Sequence, residues 1–376
     1  MFFILDNPII HLLKKFLLFI LLSIISCSKD ETQISQPIVN NMYFPSIDSD
    51  QWETINPEEL NWDSVSIDNL YNFLQLNNTR AFIVLKDGKI VLENYWGNNI
   101  QNTGLFDKNS NWYWASAGKT LTAFLVGIAQ DNGLLSVEDK SATYLGNGWT
   151  NLTANQESLI KIKHQLTMTT GLDYEVDDLN CTTPNCLTYK NTPGTSWFYH
   201  NATYSLLKDI IENSSGITYN DFTNQKVKMK IGMGGSWIQS NYNNIYWSTA
   251  RDMARFGLLI LNEGVWGEQV ILSDANYFSN MINTSQQINE SYGYLWWLNG
   301  KDSLIPPGIT IPIQTSLASN APDDLIAGMG KNGQYLDVIP SQNLVIIRMG
   351  EAPNADNLVP INFHNEMWSY LNDILF

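Results

Sequence analysis

The stretch Trp112-Tyr-Trp-Ala-Ser116-Ala-Gly-Lys119-Thr-Leu121 opens an amphipathic run in which Leu121, Phe124, Leu125 and Ile128 recur at helical spacing before Gly133 closes it. Ser116 and Lys119 stand three residues apart at the start of this helix, so both side chains share one face. A hydroxyl is a weak nucleophile and needs a base. A free lysine, near pKa 10.4, is protonated and cannot serve. Burial lowers that value, and a helix start adds backbone N–H groups able to hold an oxyanion. The small Ala117 and Gly118 leave room for a substrate. Ser-x-x-Lys alone decides little, because the chain holds it four times: Ser26/Lys29, Ser116/Lys119, Ser158/Lys161 and Ser205/Lys208.

Two further segments give Ser116 its context. Trp197-Phe-Tyr199-His-Asn201-Ala-Thr-Tyr204 sets Tyr199 and Asn201 on a loop entering a helix. A tyrosine beside a lysine can share its proton, and an asparagine amide can hold a substrate carbonyl; as isolated residues they read as a core aromatic and an N-cap. Gly330-Lys331-Asn332-Gly333-Gln334 leads into a β-rich run. It reads either as a positive charge and a backbone N–H beside an acyl group or as an ordinary polar turn.

In this order the three segments resemble the motifs of the serine β-lactamase and penicillin-binding-protein superfamily, nearest its class C, esterase and 6-aminohexanoate-dimer-hydrolase-like branch. Ser116 and Lys119 match S-x-x-K, Tyr199 and Asn201 match Y-x-N, and Lys331 and Gly333 match K-T-G or H-x-G. The resemblance spans about residues 62 to 376, and Leu166-Thr-Met-Thr-Thr-Gly171 is also similar. It implies an α+β fold, an antiparallel sheet flanked by terminal helices with an inserted mainly α-helical domain. It also implies that Ser116 forms an acyl-enzyme, Lys119 and Tyr199 handle the proton, and Asn201 contacts substrate. The N–H groups of Ser116 and Gln334 would form an oxyanion hole, with Lys331 adding positive charge. Asn332 stands where β-lactamases carry Thr or Ser, which removes a hydroxyl that holds a β-lactam carboxylate.

The pattern outside the motifs agrees. Asp87-Gly88 joins two β-rich runs, 81–86 and 89–95, as a hairpin. Helices are expected around 204–211, 253–260 and 362–375, and strands over 292–298, 325–329, 334–339 and 344–348. The sheet domain therefore takes 61–115 and 290–376, with a helical domain over 116–289 between them. The stretch 300–324 is expected as a long loop.

The N-terminus addresses the compartment. Lys14 and Lys15 precede the apolar run Phe16–Leu22, then Ser26 and Cys27. Residues 1–26 read as a secretory signal. The segment around Cys27 resembles a lipoprotein signal, which implies a lipid-bearing Cys27, a tether over 27–60 and a protein exported to the periplasmic or outer side of a bacterial membrane. Cys181 and Cys186 are then expected as a disulfide. The formal charge of −16 argues against nucleic acid as partner. No metal or cofactor is implied, and the partner expected is a small-molecule or peptide substrate. Thirteen Trp and seventeen Tyr read as large aromatic cores.

Esters, short amides, D-Ala-D-Ala peptides and β-lactams all suit such a dyad, so esterase, amidase, carboxypeptidase and β-lactamase readings stay open. A Ser-His-Asp hydrolase would need G-x-S-x-G, which the chain lacks. A surface lipoprotein that binds without catalysis is the rival from another class.

Overall fold

The computed structural model describes residues 42–353 and 359–376. The signal segment and Cys27 lie outside the described residues. Five helices position the site: α1 (Ser64–Leu76), α2 (Gly118–Asp131), α3 (Asn201–Ser205), α4 (Ala250–Leu261) and α5 (Ile361–Leu375). The strands are β1 (Thr79–Lys86), β2 (Lys89–Tyr95), β3 (Trp112–Tyr113), β4 (Ser236–Ser240), β5 (Asn243–Ser248), β6 (Val265–Trp266), β7 (Gln269–Val270), β8 (Trp297–Leu298), β9 (Ile326–Gly330), β10 (Gln334–Ile339) and β11 (Leu344–Gly350).

One antiparallel sheet runs β2-β1-β11-β10-β9-β8, so strands from both ends of the chain meet at the β1–β11 pair. Its two faces are read off β10. Tyr335 faces α5, with its ring 4.6 Å from that of His364. Its neighbour Leu336 faces α4, whose Gly257 leaves room for Leu336 and Val345. Helix α1 packs on α5 through Phe73, stacked on Phe363 and Tyr370 at 5.3 and 4.5 Å. Asp63 caps α1 through the N–H of Ser66 at 2.8 Å, and Thr249 caps α4 in a capping box with Asp252. Asp87 and Gly88 both take left-handed backbone at φ 50° and 82°, the geometry a two-residue hairpin between twisted strands requires.

Three expectations are corrected. Residues 42–60 do not behave as tether. Tyr43 donates to the Asp87 carbonyl at 3.0 Å, Ile55 and Glu53 bond the backbone of Ile90, and Trp52 donates to Gly88 at 2.8 Å. Gly88 permits this approach, since any Cβ there would collide with the Tyr43 carbonyl. Apolar Met42, Phe44, Trp52 and Ile55 supply the burial that a polar average conceals. Next, the middle of the chain also holds a sheet, β3-β5-β4, with β4 and β5 joined in a hairpin. Finally, the strand expected over 292–298 folds back on itself: Gly293 donates to Trp296 at 2.9 Å and Tyr292 bridges to Trp297. The loop expected over 300–324 is found, with a single bridge, Leu304 to Ile313.

Met42–Phe376 forms one compact unit, and strands and central helices share one apolar core. Among the described residues no helix is long and apolar enough to cross a membrane. Trimming the chain to begin at Pro57 instead of Met42 removes the contacts on β2. It is expected to lower the melting temperature by a few degrees, since a loss of 1 kcal/mol shifts Tm by roughly 2–4 °C in a domain of about 150–250 residues and by less in a larger one. A true tether would leave Tm unchanged in differential scanning calorimetry.

Candidate active site

Ser116 lies on a single 3-10 turn, Ala115–Ala117, that runs into α2. Ala115 is left-handed at φ 47°, a conformation that costs an L-residue roughly 1–2 kcal/mol, and such strain gathers at functional sites. The turn is braced from outside. Trp112 donates its indole N–H to Gly350 at 3.1 Å, and Trp114 donates to the Ser248 hydroxyl at 2.8 Å. No side chain caps this helix start. Ala117 donates its N–H to the Trp114 carbonyl at 3.1 Å, so the N–H at this helix start that can serve a negatively charged oxygen is that of Ser116.

Lys119 follows one turn on, 4% exposed, with Nζ 3.0 Å from Ser116 Oγ. The amine lies over the rings of Tyr199 and Tyr204, at 5.0 and 4.3 Å. No carboxylate pairs with it among the described residues. Burial alone pushes it down to about 7. Burial drives Tyr199 the other way, well above the usual tyrosine value, against a smaller opposing effect from its hydrogen bond with Ser116. Tyr204 is pushed up to about 12 by burial. Of the groups around Ser116, the lysine is thus the one able to take a proton near neutral pH.

Strand β9 closes the site. A Cβ on Gly328 would crowd Thr120 and Ala117; one on Gly330 would run into the Trp114 carbonyl and Ala115. These two glycines let the strand lie directly against the Ser116 turn. Register fixes which N–H groups look inward. Gly330 accepts from Gly333 on the β10 side, while Leu325 accepts from Asn299 on the β8 side. Alternation then turns Met329 towards the β8 edge. Strand β8 reaches only Trp297, opposite Ala327, so the N–H of Met329 meets an open edge.

The structure brings Ser116, Lys119 and Tyr199 together. The extended backbone of His200 places Tyr199 and Asn201 on the same side, with His200 turned inward to the Asp173 carbonyl at 3.1 Å. Asn201 opens α3 and donates Nδ2 to Asn180 Oδ1 at 3.1 Å.

Gln334 is not at the site. Its backbone belongs to β10 and pairs with Gly330, and its buried side chain is bonded to Gly350, Lys331 and Asn332. Lys331 and Gly333 lie on the β9–β10 turn rather than on the strand beside Ser116. Arg348 holds this turn through the carbonyls of Asn332 and Gly333, at 2.7 and 2.8 Å, and Asn332 donates to the Tyr113 hydroxyl. Lys331 itself is exposed. The residue that motif matching passed over is Met329, whose signal was the spacing of glycines in Gly328-Met-Gly330. Motif matching also passed over Trp297, stacked on Tyr199 with centroids 5.9 Å apart, and Tyr292, which meets Trp297 edge-on at 4.8 Å. The Cys181–Cys186 disulfide is formed, next to Asn180.

A model of the Beta-lactamase family matches residues 79–357, and the chain belongs to that family. An uncharacterised protein of Alkalihalophilus pseudofirmus is 25% identical over 302 residues, which cover 71% of this chain and 82% of that protein. A solved structure described as a candidate 6-aminohexanoate-dimer hydrolase from Bacillus anthracis is similar with TM-score 0.60 at 19% identity, over 81% of this chain and 82% of its own. A penicillin-binding protein homolog from Caulobacter crescentus is similar with TM-score 0.64 at 12% identity, over 85% and 99%. These likenesses establish a β-lactamase/transpeptidase-like fold.

A buried, unpaired amine has a measurable cost. The folded chain holds Lys119 near 7, against an ordinary value of 10.5. Between these values the unfolded chain carries a proton that the folded chain does not, so stability rises with pH across that window. The penalty is absent above the ordinary value and complete below about 7. Lys119→Met is therefore expected to stabilise the protein by a few kcal/mol at pH 7 and by much less at pH 10. Urea unfolding of both proteins at the two pH values checks this.

Proposed function

We propose that this chain is a serine hydrolase that cleaves an ester or amide through an acyl-enzyme on Ser116. The observation that carries the reading is the 3.0 Å contact between Ser116 Oγ and a lysine amine that burial alone holds near pKa 7. Ser116 Oγ attacks the carbonyl carbon while its proton passes to Lys119 Nζ. The oxyanion is met by the N–H groups of Ser116 and Met329. As the tetrahedral adduct collapses, the leaving group takes a proton from Lys119, directly or through the Tyr199 hydroxyl. Water then attacks the ester carbonyl, giving its proton to the same amine; as this second adduct collapses, the bond to Ser116 Oγ breaks, Lys119 returns the proton to Oγ, and the acid leaves.

The position of Lys331 on a turn, and of Asn332 bonded to Tyr113, favours ester or amide substrates over β-lactams. Lys331 would act from the rim, as a charge rather than a direct ligand. The Cys181–Cys186 disulfide supports export, and a lipid on Cys27 would hold the enzyme at the membrane.

Intact mass spectrometry of the chain from residue 28 tests the nucleophile. A fluorophosphonate is expected to add once to wild type and not to Ser116→Ala. Lys119→Met is expected to slow that labelling by about 10²–10⁴-fold, the range for a general base. A penicillin, run in parallel, is expected to label far more slowly. No adduct on wild type would overturn the hydrolase reading and leave a binding protein.

A further inference from the structure

Burial makes Lys119 a base, and the same burial opposes the ammonium that it becomes once Ser116 gives up its proton. Water does not reach that cation, and among the described residues no charged side chain acts on it. Its one hydrogen-bond partner among the described residues is Ser116 Oγ, at 3.0 Å. Attack on a carbonyl makes that oxygen part of an ester, a weaker acceptor than the hydroxyl was. The cation therefore forms just as its partner weakens.

What remains around the amine is aromatic. Nζ lies over the ring of Tyr204 at 4.3 Å and over that of Tyr199 at 5.0 Å. Both distances fall inside the roughly 6 Å within which a ring face attracts a cation. The face carries negative charge density, so it favours an ammonium, most of all where water is excluded, and does little for a neutral amine. A carboxylate would keep the proton; a ring face holds it weakly enough to be passed on.

Tyr204 is held for this task. Its hydroxyl bonds Thr122 rather than the amine: Thr122 donates to it at 3.5 Å and meets the Tyr219 hydroxyl at 2.7 Å. Thr122 follows Lys119 by three residues on α2, so one helix face carries the amine and also anchors the ring lying against it. Burial raises Tyr199, Tyr204, Tyr219 and Tyr292 alike, so each stays protonated and no phenolate competes with the ring faces.

We propose that Tyr204 is a positioning residue whose ring face holds the protonated form of Lys119 between the two proton transfers of acylation. This rests on the acyl-enzyme reading above and adds a residue to it. Tyr199 has a second task at Ser116, so the test falls on Tyr204.

The test places phenylalanine, trifluorophenylalanine and pentafluorophenylalanine in turn at position 204 of the chain from residue 28, the last two as non-natural residues. Shape and apolarity change little along this series, while fluorine drains negative charge from the ring face. The pH dependence of single-turnover acylation by an activated ester is then followed. Tyr204→Phe keeps the ring and is expected to keep the ionisation close to that of wild type. The fluorinated rings are expected to lower it stepwise, by about one pH unit or more in all, the size of a desolvated cation–π contact. They are also expected to slow the plateau rate a few-fold, since a weaker base takes the proton less readily. Loss of folded protein would lower the amplitude of acylation without moving its ionisation, so instability does not imitate this result. An ionisation unmoved by fluorination would overturn the proposal and leave the hydrolase standing, as would a displacement already complete in Tyr204→Phe, which would assign the effect to the hydroxyl. Absence of acylation in wild type would overturn the hydrolase reading and the proposal with it.

Discussion

An amine buried without a counter-charge is the constraint on which the rest of this structure depends. Among the described residues Lys119 has no carboxylate partner, and a hydroxyl and two aromatic rings lie against it. In water it would be a cation. Enclosed between α2, Tyr199 and Tyr204, it becomes a base near neutrality. The same enclosure keeps the tyrosines protonated, so one physical cause separates the roles of neighbouring groups. A carboxylate paired with the lysine would have kept it protonated and removed its basicity.

The surrounding architecture keeps that pocket closed and its donors aimed. Two indoles, Trp112 and Trp114, tie the strained turn at Ala115 to the ends of β11 and β5. Gly328 and Gly330 let β9 press against it, and early termination of β8 opposite Ala327 puts Met329 on an open edge. Arg348, fully buried, gathers the carbonyls of Asn77, Asn332, Gly333 and Glu351, and so locks the β9–β10 turn to the start of β1. The site is held by many weak braces from both ends of the chain.

Much of this was legible in the sequence, and the parts that were not have physical reasons. The 3.6-residue apolar period exposed α2, α4 and α5, and Asp87-Gly88 exposed the first hairpin, because each is a local signal. That Ser116, Lys119 and Tyr199 come together was legible through their spacing and order. The third motif was not. Lys331-Asn-Gly333 has the letters of a substrate-binding strand, yet Asn332 and Gly333 both take left-handed backbone and make a turn. The strand that faces Ser116 is recognised only from β-sheet register, a long-range property. Likewise Tyr292–Leu298 has the composition of a strand, but a reversal at Tyr294 and Leu295, where Leu295 is left-handed at φ 61°, puts Tyr292 against Trp297 instead. Packing of residues 42–60 escaped because a few scattered aromatics do the work there without periodicity.

The most direct test of the account is the pH dependence of the single-turnover acylation rate of wild type by an activated ester, followed through release of the leaving group. If burial makes Lys119 the base, the rate rises with pH through one ionisation near 7 and levels above it, and this ionisation is absent from the residual reaction of Lys119→Met. An ionisation above pH 9, or one near 7 that persists in Lys119→Met, would contradict it.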